Sequence, residues 1–254
     1  MTAQPDSARA PRSPDLGAPV TVLLVRHGRT PLTEQRRFSG RGGPDPELSD
    51  GGRADARHVA AALAPVPADP GRRGTDVPGT ASPRHPRDLP DLPPIEAVRC
   101  SPLARTRATG AAVATACGLS ATVDEGWAEA GFGLWEGLGY AEVAEGWPDL
   151  LRSWQGSSTV APPGGESLVE VMARVEGALA RLRQQHPGGT VAVATHVTPI
   201  RAVLRYALEA GVPTMWRVRL APASITVVRF WSDGGAEVRA VNVTAHLGHD
   251  AVNT

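Results

Sequence analysis

Thr21-Val22-Leu23-Leu24-Val25-Arg26-His27-Gly28-Arg29-Thr30 is the stretch on which the fold turns. Thr21–Val25 is an unbroken apolar run, rich in β-branched residues and too short for a helix, so it reads as a buried strand. It stops at Arg26-His27-Gly28, where two polar side chains precede a residue that lets the backbone approach a ligand closely. The same pattern returns twice. Ile95–Cys100 is a short strand followed by Ser101-Pro102-Leu103-Ala104-Arg105-Thr106. Thr190–Ala194 is a buried run followed by Thr195-His196-Val197-Thr198-Pro199. Helical patterns lie between and after these strands. Ser49–Leu63 places Ala56, Val59, Ala60 and Leu63 on one face, and Leu103–Cys117 is rich in alanine and threonine. Ser167–Gln185 keeps Leu168, Val171, Met172, Val175, Leu179 and Leu182 in register, with Ser167 and Glu170 forming a capping box. Pro199–Leu208 is a further helix, and Ile225–Trp231 with Glu237–Val243 predict a hairpin around Asp233-Gly234-Gly235. Strand–helix alternation of this kind predicts an α/β fold: a three-layer sandwich with a mostly parallel central sheet and helices on both faces. Ligands of such sheets sit at the carboxyl ends of the strands.

The chain has 254 residues with 26 basic and 26 acidic side chains, a formal net charge of zero. That balance argues against a general affinity for nucleic acid or an acidic membrane surface. The two cysteines, Cys100 and Cys117, cannot form a disulfide framework and fit a reduced, cytoplasmic protein. The N-terminus is polar and proline-rich without an apolar core, so it does not read as a secretory signal. Val20–Val25 and Thr190–Thr195 are far shorter than the roughly 20 apolar residues a membrane helix needs. Residues 1–18 read as a disordered tail, and the Pro/Gly/Arg-rich stretch at about 65–94 as a flexible surface insertion. Patterned sequence resumes on both sides of it, so residues 19–250 read as one domain. Oligomeric state is not legible.

The three clusters bring His27, His196, Arg26 and Arg105 to one edge of the sheet. Imidazole can act as nucleophile, acid or metal ligand, and fixed arginines bind phosphate through a planar fork. Any one of these histidines alone could simply cap its strand. Placement at successive strand ends is hard to obtain by chance.

Leu23-Leu24-Val25-Arg26-His27-Gly28-Arg29-Thr30 resembles the signature of the histidine phosphatase superfamily, which includes phosphoglycerate mutases. Later segments match that family in order over roughly residues 20–250: Asp45-Pro46-Glu47-Leu48-Ser49, Ser101-Pro102-Leu103-Ala104-Arg105-Thr106, the acid motif Glu129-Ala130-Gly131-Phe132-Gly133-Leu134-Trp135-Glu136-Gly137, Gly164-Gly165-Glu166-Ser167, Thr195-His196 and Asn242-Val243-Thr244-Ala245-His246-Leu247. The resemblance implies a phosphoglycerate mutase-like fold and two-step phosphoryl transfer. His27 would be the nucleophile, Arg26, Arg105 and His196 would hold the phosphoryl oxygens, and Glu129 would serve as acid and then base, with Glu136 the next candidate for that role. No metal and no cofactor is expected. The family often carries asparagine at the position of Thr33, whose hydroxyl would take over that phosphate contact, and glycine at the position of Val197. The form Thr195-His196-Val197-Thr198-Pro199-Ile200 resembles the phosphatase domain fused to ribonuclease H in some actinobacterial proteins, which are similar to α-ribazole phosphatases. The N-terminal tail is too short for a ribonuclease domain to be expected within it. The expected activity is hydrolysis of a small phosphate ester. The alternatives are a mutase and an inactive phosphate-ester binding module. Mutases of this family carry an E-R-H-Y-G acid motif and a long basic insertion after it, which this chain lacks. His246 and His249 are expected to face solvent, and Trp127, Trp135, Trp147 and Trp154 to pack a cover over the pocket.

Overall fold

In the computed structural model, which describes residues 17–65 and 92–247, the run Val20–Arg26 is strand β1. The chain continues through α1 (Pro31–Glu34), α2 (Asp50–Leu63), β2 (Ile95–Cys100), α3 (Ala104–Ala116) and β3 (Ala121–Val123). After the acid motif come α4 (Tyr140–Gly146), α5 (Pro148–Gly156), α6 (Leu168–Gln185) and β4 (Thr190–Thr195). The last elements are α7 (Val197–Ala207), α8 (Thr214–Arg217), β5 (Ile225–Phe230) and β6 (Ala236–Val243). The tail reading falls on residues 1–16, and most of the insertion reading on 66–91; both lie outside the described residues.

The six strands form one sheet of order β3-β2-β4-β1-β5-β6. β3, β2, β4 and β1 run parallel, and β5 and β6 add an antiparallel edge, so the sheet is mostly parallel as expected. Side chains alternate across a strand, and β1 divides its residues between two cores on that rule. Val20, Val22 and Leu24 pack with Val171, Val175, Leu179 and Leu182 of α6 and Ile200, Val203 and Leu204 of α7. Leu23 and Val25 pack on the other face with Val59 and Leu63 of α2 and Val113 of α3. This is the three-layer sandwich, and it explains why β1 and β4 read as continuous apolar runs.

Most element boundaries follow the sequence reading. Ser167 caps α6 through the expected reciprocal contact with Glu170. α7 starts two residues earlier than Pro199, because His196 is extended and Pro199 falls in the first turn, where a missing N–H leaves no helical bond unmade. β3, α4, α5 and α8 were not anticipated. His246 corrects an expectation: it is half-buried, its Nε2 donates to the Ala223 carbonyl at 2.9 Å, and burial pushes its pKa down. His249 lies outside the described residues.

The turn after β1 lies flush against the start of α2. Ser49 caps α2 by accepting from Gly52 N–H, and its own backbone N–H donates to the Arg29 carbonyl at 3.0 Å. Arg29 grips Asp55 of α2 with Nε and Nη2, each at 2.8 Å. A Cβ at Gly52 would run into the Arg29 carbonyl, and one at Gly28 into the Gly52 carbonyl. Gly52→Ala is therefore expected to destabilise by about 1–3 kcal/mol, the usual range for forced overpacking. Gly177, inside α6, has nothing nearer its missing Cβ than the Arg181 guanidinium at 3.7 Å. Gly177→Ala should stabilise by about 0.5–1 kcal/mol from helix propensity. Denaturant unfolding of both variants checks the contrast. The same sign for both would contradict the close approach.

Candidate active site

The parallel register sets Arg26 beside Thr195 and Cys100 beside Ala194. The next residues along, His27, His196 and Ser101, therefore emerge side by side, and the two imidazole centroids lie 5.1 Å apart. His27 is 5% exposed, and its Nδ1 lies 2.7 Å from the Gly28 carbonyl. A carbonyl oxygen only accepts, so Nδ1 carries the proton and Nε2 keeps its lone pair. Burial holds the His27 pKa well below its ordinary value, with Arg105 and Arg26 adding repulsion against the bond to Gly28. At neutral pH His27 is thus a neutral imidazole with a fixed tautomer.

Around it stand the groups expected from the sequence. Arg26 donates through Nη1 to the Leu220 carbonyl. Burial lowers its pKa to about 10, with Glu129 opposing and Arg201 and Arg105 adding to the fall. Arg105 is 1% exposed; its Nη2 donates to the Ser39 carbonyl at 2.8 Å and its Nη1 lies 3.4 Å from Asp45. His196 is fully buried, with Nε2 2.7 Å from the Ser101 hydroxyl, and burial, Arg105 and His27 hold it neutral. Arg26 Nε, Arg105 Nε and His196 Nδ1 are buried without hydrogen-bond partners among the described residues. Buried polar groups normally find partners. Nitrogens of Trp127, Trp135, Arg205, Arg229 and His246 are unpartnered too, but these three belong to side chains that gather at His27. Glu129 is 6% exposed; its Oε1 accepts from Ala130 N–H at 2.9 Å and Thr198 N–H at 3.3 Å. Thr33 lines the same cleft as Arg26 and His27, and its hydroxyl lies 2.9 Å from that of Thr30.

Several residues that fix this geometry carry no motif-level signal of their own role. Arg174 of α6 donates to the carbonyls of Gly126, Ala128 and Glu129 and pairs with Glu166 at 3.1 Å, bracing the backbone that presents Glu129. Glu166 in turn accepts from Gly131 N–H at 2.8 Å. Glu136 accepts from the backbone N–H groups of Gly40, Gly42 and Phe132, so both its oxygens hold the 40–42 loop to the acid motif. That makes it a brace rather than an alternative acid. Asp45 accepts from Ala104 N–H at 2.9 Å, supplying the start of α3 with a cap that Leu103 lacks. Trp127 and Trp135 are fully buried; Trp135, Trp154, Phe38 and Phe132 pack edge to face beside the cleft. The cleft above His27 has a volume of about 660 Å³. Among the described residues no group of three or more His, Cys, Asp or Glu could hold a metal ion, and no helix is long and apolar enough to cross a membrane.

The chain is also similar to known proteins. The profile of the histidine phosphatase superfamily (branch 1) matches residues 22–70 and 86–244. A bifunctional protein of Mycobacterium tuberculosis is 40% identical over 231 residues, which are 91% of this chain and 56% of that protein. The chain thus spans little more than half the length of that relative. Phosphoserine phosphatase 1 of Hydrogenobacter thermophilus is 29% identical over 230 residues, 90% of this chain and 95% of that one. A mycobacterial glucosyl-3-phosphoglycerate phosphatase, solved in complex with VO3, superposes with a TM-score of 0.69 at 25% identity, covering 88% of this chain and 99% of that one. With its matched residues spanning most of the chain, this protein belongs to the histidine phosphatase superfamily.

Proposed function

We propose that the protein is a metal-independent phosphomonoesterase that works through a phosphohistidine at His27. The observation that carries this reading is the 2.7 Å bond from His27 Nδ1 to the Gly28 carbonyl, which leaves an unprotonated Nε2 among Arg26, Arg105 and His196. In the first step Nε2 attacks phosphorus and the ester P–O bond breaks. Glu129, in its acid form, gives its proton to the leaving oxygen. In the second step Glu129 takes a proton from water, whose oxygen attacks phosphorus as the P–N bond breaks and phosphate departs. Arg26, Arg105 and His196 Nδ1 donate to the equatorial oxygens, where transition-state charge gathers. The arginines supply the positive charge that a metal ion provides in other phosphatases. The names of the relatives, phosphoserine phosphatase and glucosyl-3-phosphoglycerate phosphatase, support a small metabolite ester as substrate. An α-ribazole phosphatase-like activity is the more specific form of the same reading, set in the cytoplasm.

The test is hydrolysis of p-nitrophenyl phosphate with and without EDTA, by the native chain and by His27→Ala. Full activity in EDTA and background activity for the variant are expected. Activity lost on chelation and restored by a divalent ion, or retained by the variant, would contradict the reading.

The tautomer is open to direct observation. Because burial and two arginines lower the His27 pKa, the ring should stay neutral and Nδ1-protonated at pH 6, below its ordinary value of 6.5. Nitrogen-15 NMR of the histidine rings measures this. A His27 ring that is half-protonated at pH 6.5 would contradict the electrostatic account.

Glu129 acts on protons, whereas Arg105 binds charge in both ground and transition states. Glu129→Gln should lower kcat on alkyl phosphates by about 10²–10⁴-fold and much less on p-nitrophenyl phosphate, whose leaving group departs without a proton. Arg105→Ala should slow both esters and raise KM. Equal losses on both esters for Glu129→Gln would remove it as the acid.

A further inference from the structure

The cleft above His27 holds more positive charge than one phosphoryl group needs. Arg26, Arg36, Arg37, Arg201, Arg217 and Arg219 line it; no acidic residue is among its described lining, although Glu129 lies close enough to act on Arg26 and Arg201. The chain as a whole is neutral, with 26 basic and 26 acidic side chains, so this concentration is local. The residues come from β1, the segment after α1, α7, and α8 with the segment after it.

The six are not equivalent. Arg37 is spoken for, by Glu142 at 3.0 Å and the Gly137 carbonyl at 2.7 Å. Arg201 is partly buried; its Nε and Nη2 both donate to the Val218 carbonyl, at 2.9 and 2.7 Å, which fixes the guanidinium against the cleft wall. Arg36 and Arg217 are exposed at the mouth, and neither side chain has a hydrogen bond or ion pair among the described residues. Like charges crowded around one concavity repel; Glu129 offsets part of that repulsion at Arg26 and Arg201, and a bound anion would offset the rest.

Arg36 carries a second, independent mark. Its backbone has φ +55°, in the left-handed region. That conformation suits glycine and strains an arginine. The surrounding chain enforces it: Arg36 N–H donates to the Thr33 carbonyl, Arg37 N–H to the Leu32 carbonyl, and Phe38 is anchored by the Leu138 carbonyl at 2.8 Å. A position that would accept glycine more easily presents a free guanidinium at the mouth of the cleft.

We propose that the substrate's leaving group carries a second anionic group, a carboxylate or a phosphate, held by Arg36, Arg201 and Arg217 while the scissile phosphoryl lies at His27. The cleft volume of about 660 Å³ is that of a small-ligand site, which points to a metabolite rather than to a polymer lying across the surface. This proposal rests on the phosphohistidine reading and narrows its substrate.

The experiment compares kcat/KM for glycerol phosphate, 3-phosphoglycerate and fructose 1,6-bisphosphate at low and high salt. An opposite charge at contact distance in water-like surroundings contributes about fivefold in affinity. At least one of the two bis-anionic esters should therefore exceed glycerol phosphate by about tenfold or more. The carboxylate and bisphosphate arms tell which second anion is bound. The advantage should shrink at high salt, because screening shortens the reach of exposed charges. In Arg36→Gly/Arg217→Ser the advantage should fall about tenfold. Arg36→Gly alone should not lower the melting temperature, since glycine relieves the strained backbone. Glycerol phosphate turned over as well as both bis-anionic esters, or an advantage unchanged in the double variant, would overturn the proposal. His27→Ala separates the two claims. If it abolishes turnover of all three esters while the native preference is flat, only this proposal fails. If it leaves all three turned over, the phosphohistidine reading fails and this proposal with it.

Discussion

The site depends first on register. β1, β4 and β2 pair so that Arg26 stands beside Thr195 and Cys100 beside Ala194. Because side chains alternate along a strand, a slip of one residue would send each inward-facing side chain to the opposite face. The register is held from both sides, since β1 feeds one core through Val22 and Leu24 and the other through Leu23 and Val25. The positions of His27, His196 and Ser101 follow from apolar packing further down the strands.

Electrostatics then acts on what register has gathered. Two buried arginines beside two buried histidines would be a poor arrangement if every group were charged. The histidines resolve it by staying neutral, as burial and the arginines both demand. Arg105 is partly compensated by Asp45, and both arginines by Glu129. What remains is a set of inward nitrogens on Arg26, Arg105 and His196 without acceptors in the described structure. A tetrahedral dianion satisfies several such donors at once. The stored repulsion thus becomes binding energy for the group the site is read to transfer.

Much of this was legible because the informative strands are unusual. Val20–Arg26 and Thr190–Thr195 are apolar to the point where they meet polar residues, and that abrupt change marks both the strand end and the site. β3 was not legible, being three residues long and paired only with β2. α4 and α5 are only seven and nine residues long, and each buries a single residue, Val143 and Leu151, too few to set a repeat in the sequence. The braces escaped for a different reason. Arg174, Glu166 and Glu136 act on backbone groups brought close only by the fold, up to 96 residues away, and such partners leave no spacing in the sequence. Glu136 sits inside a legible motif, yet only its hydrogen bonds distinguish a brace from an acid. The cleft arginines are the same case, since Arg36, Arg201 and Arg217 converge from separate elements.

The central claim is that His27 Nε2 bonds covalently to phosphorus during turnover. The most direct measurement is rapid quench with a phosphorus-labelled ester, followed by stability tests and mapping of the labelled peptide. The account predicts a protein-bound phosphate that survives base, is lost in acid, and maps to the peptide containing His27. Turnover with no labelled protein at any quench time, or label on an acid-stable residue, would contradict it.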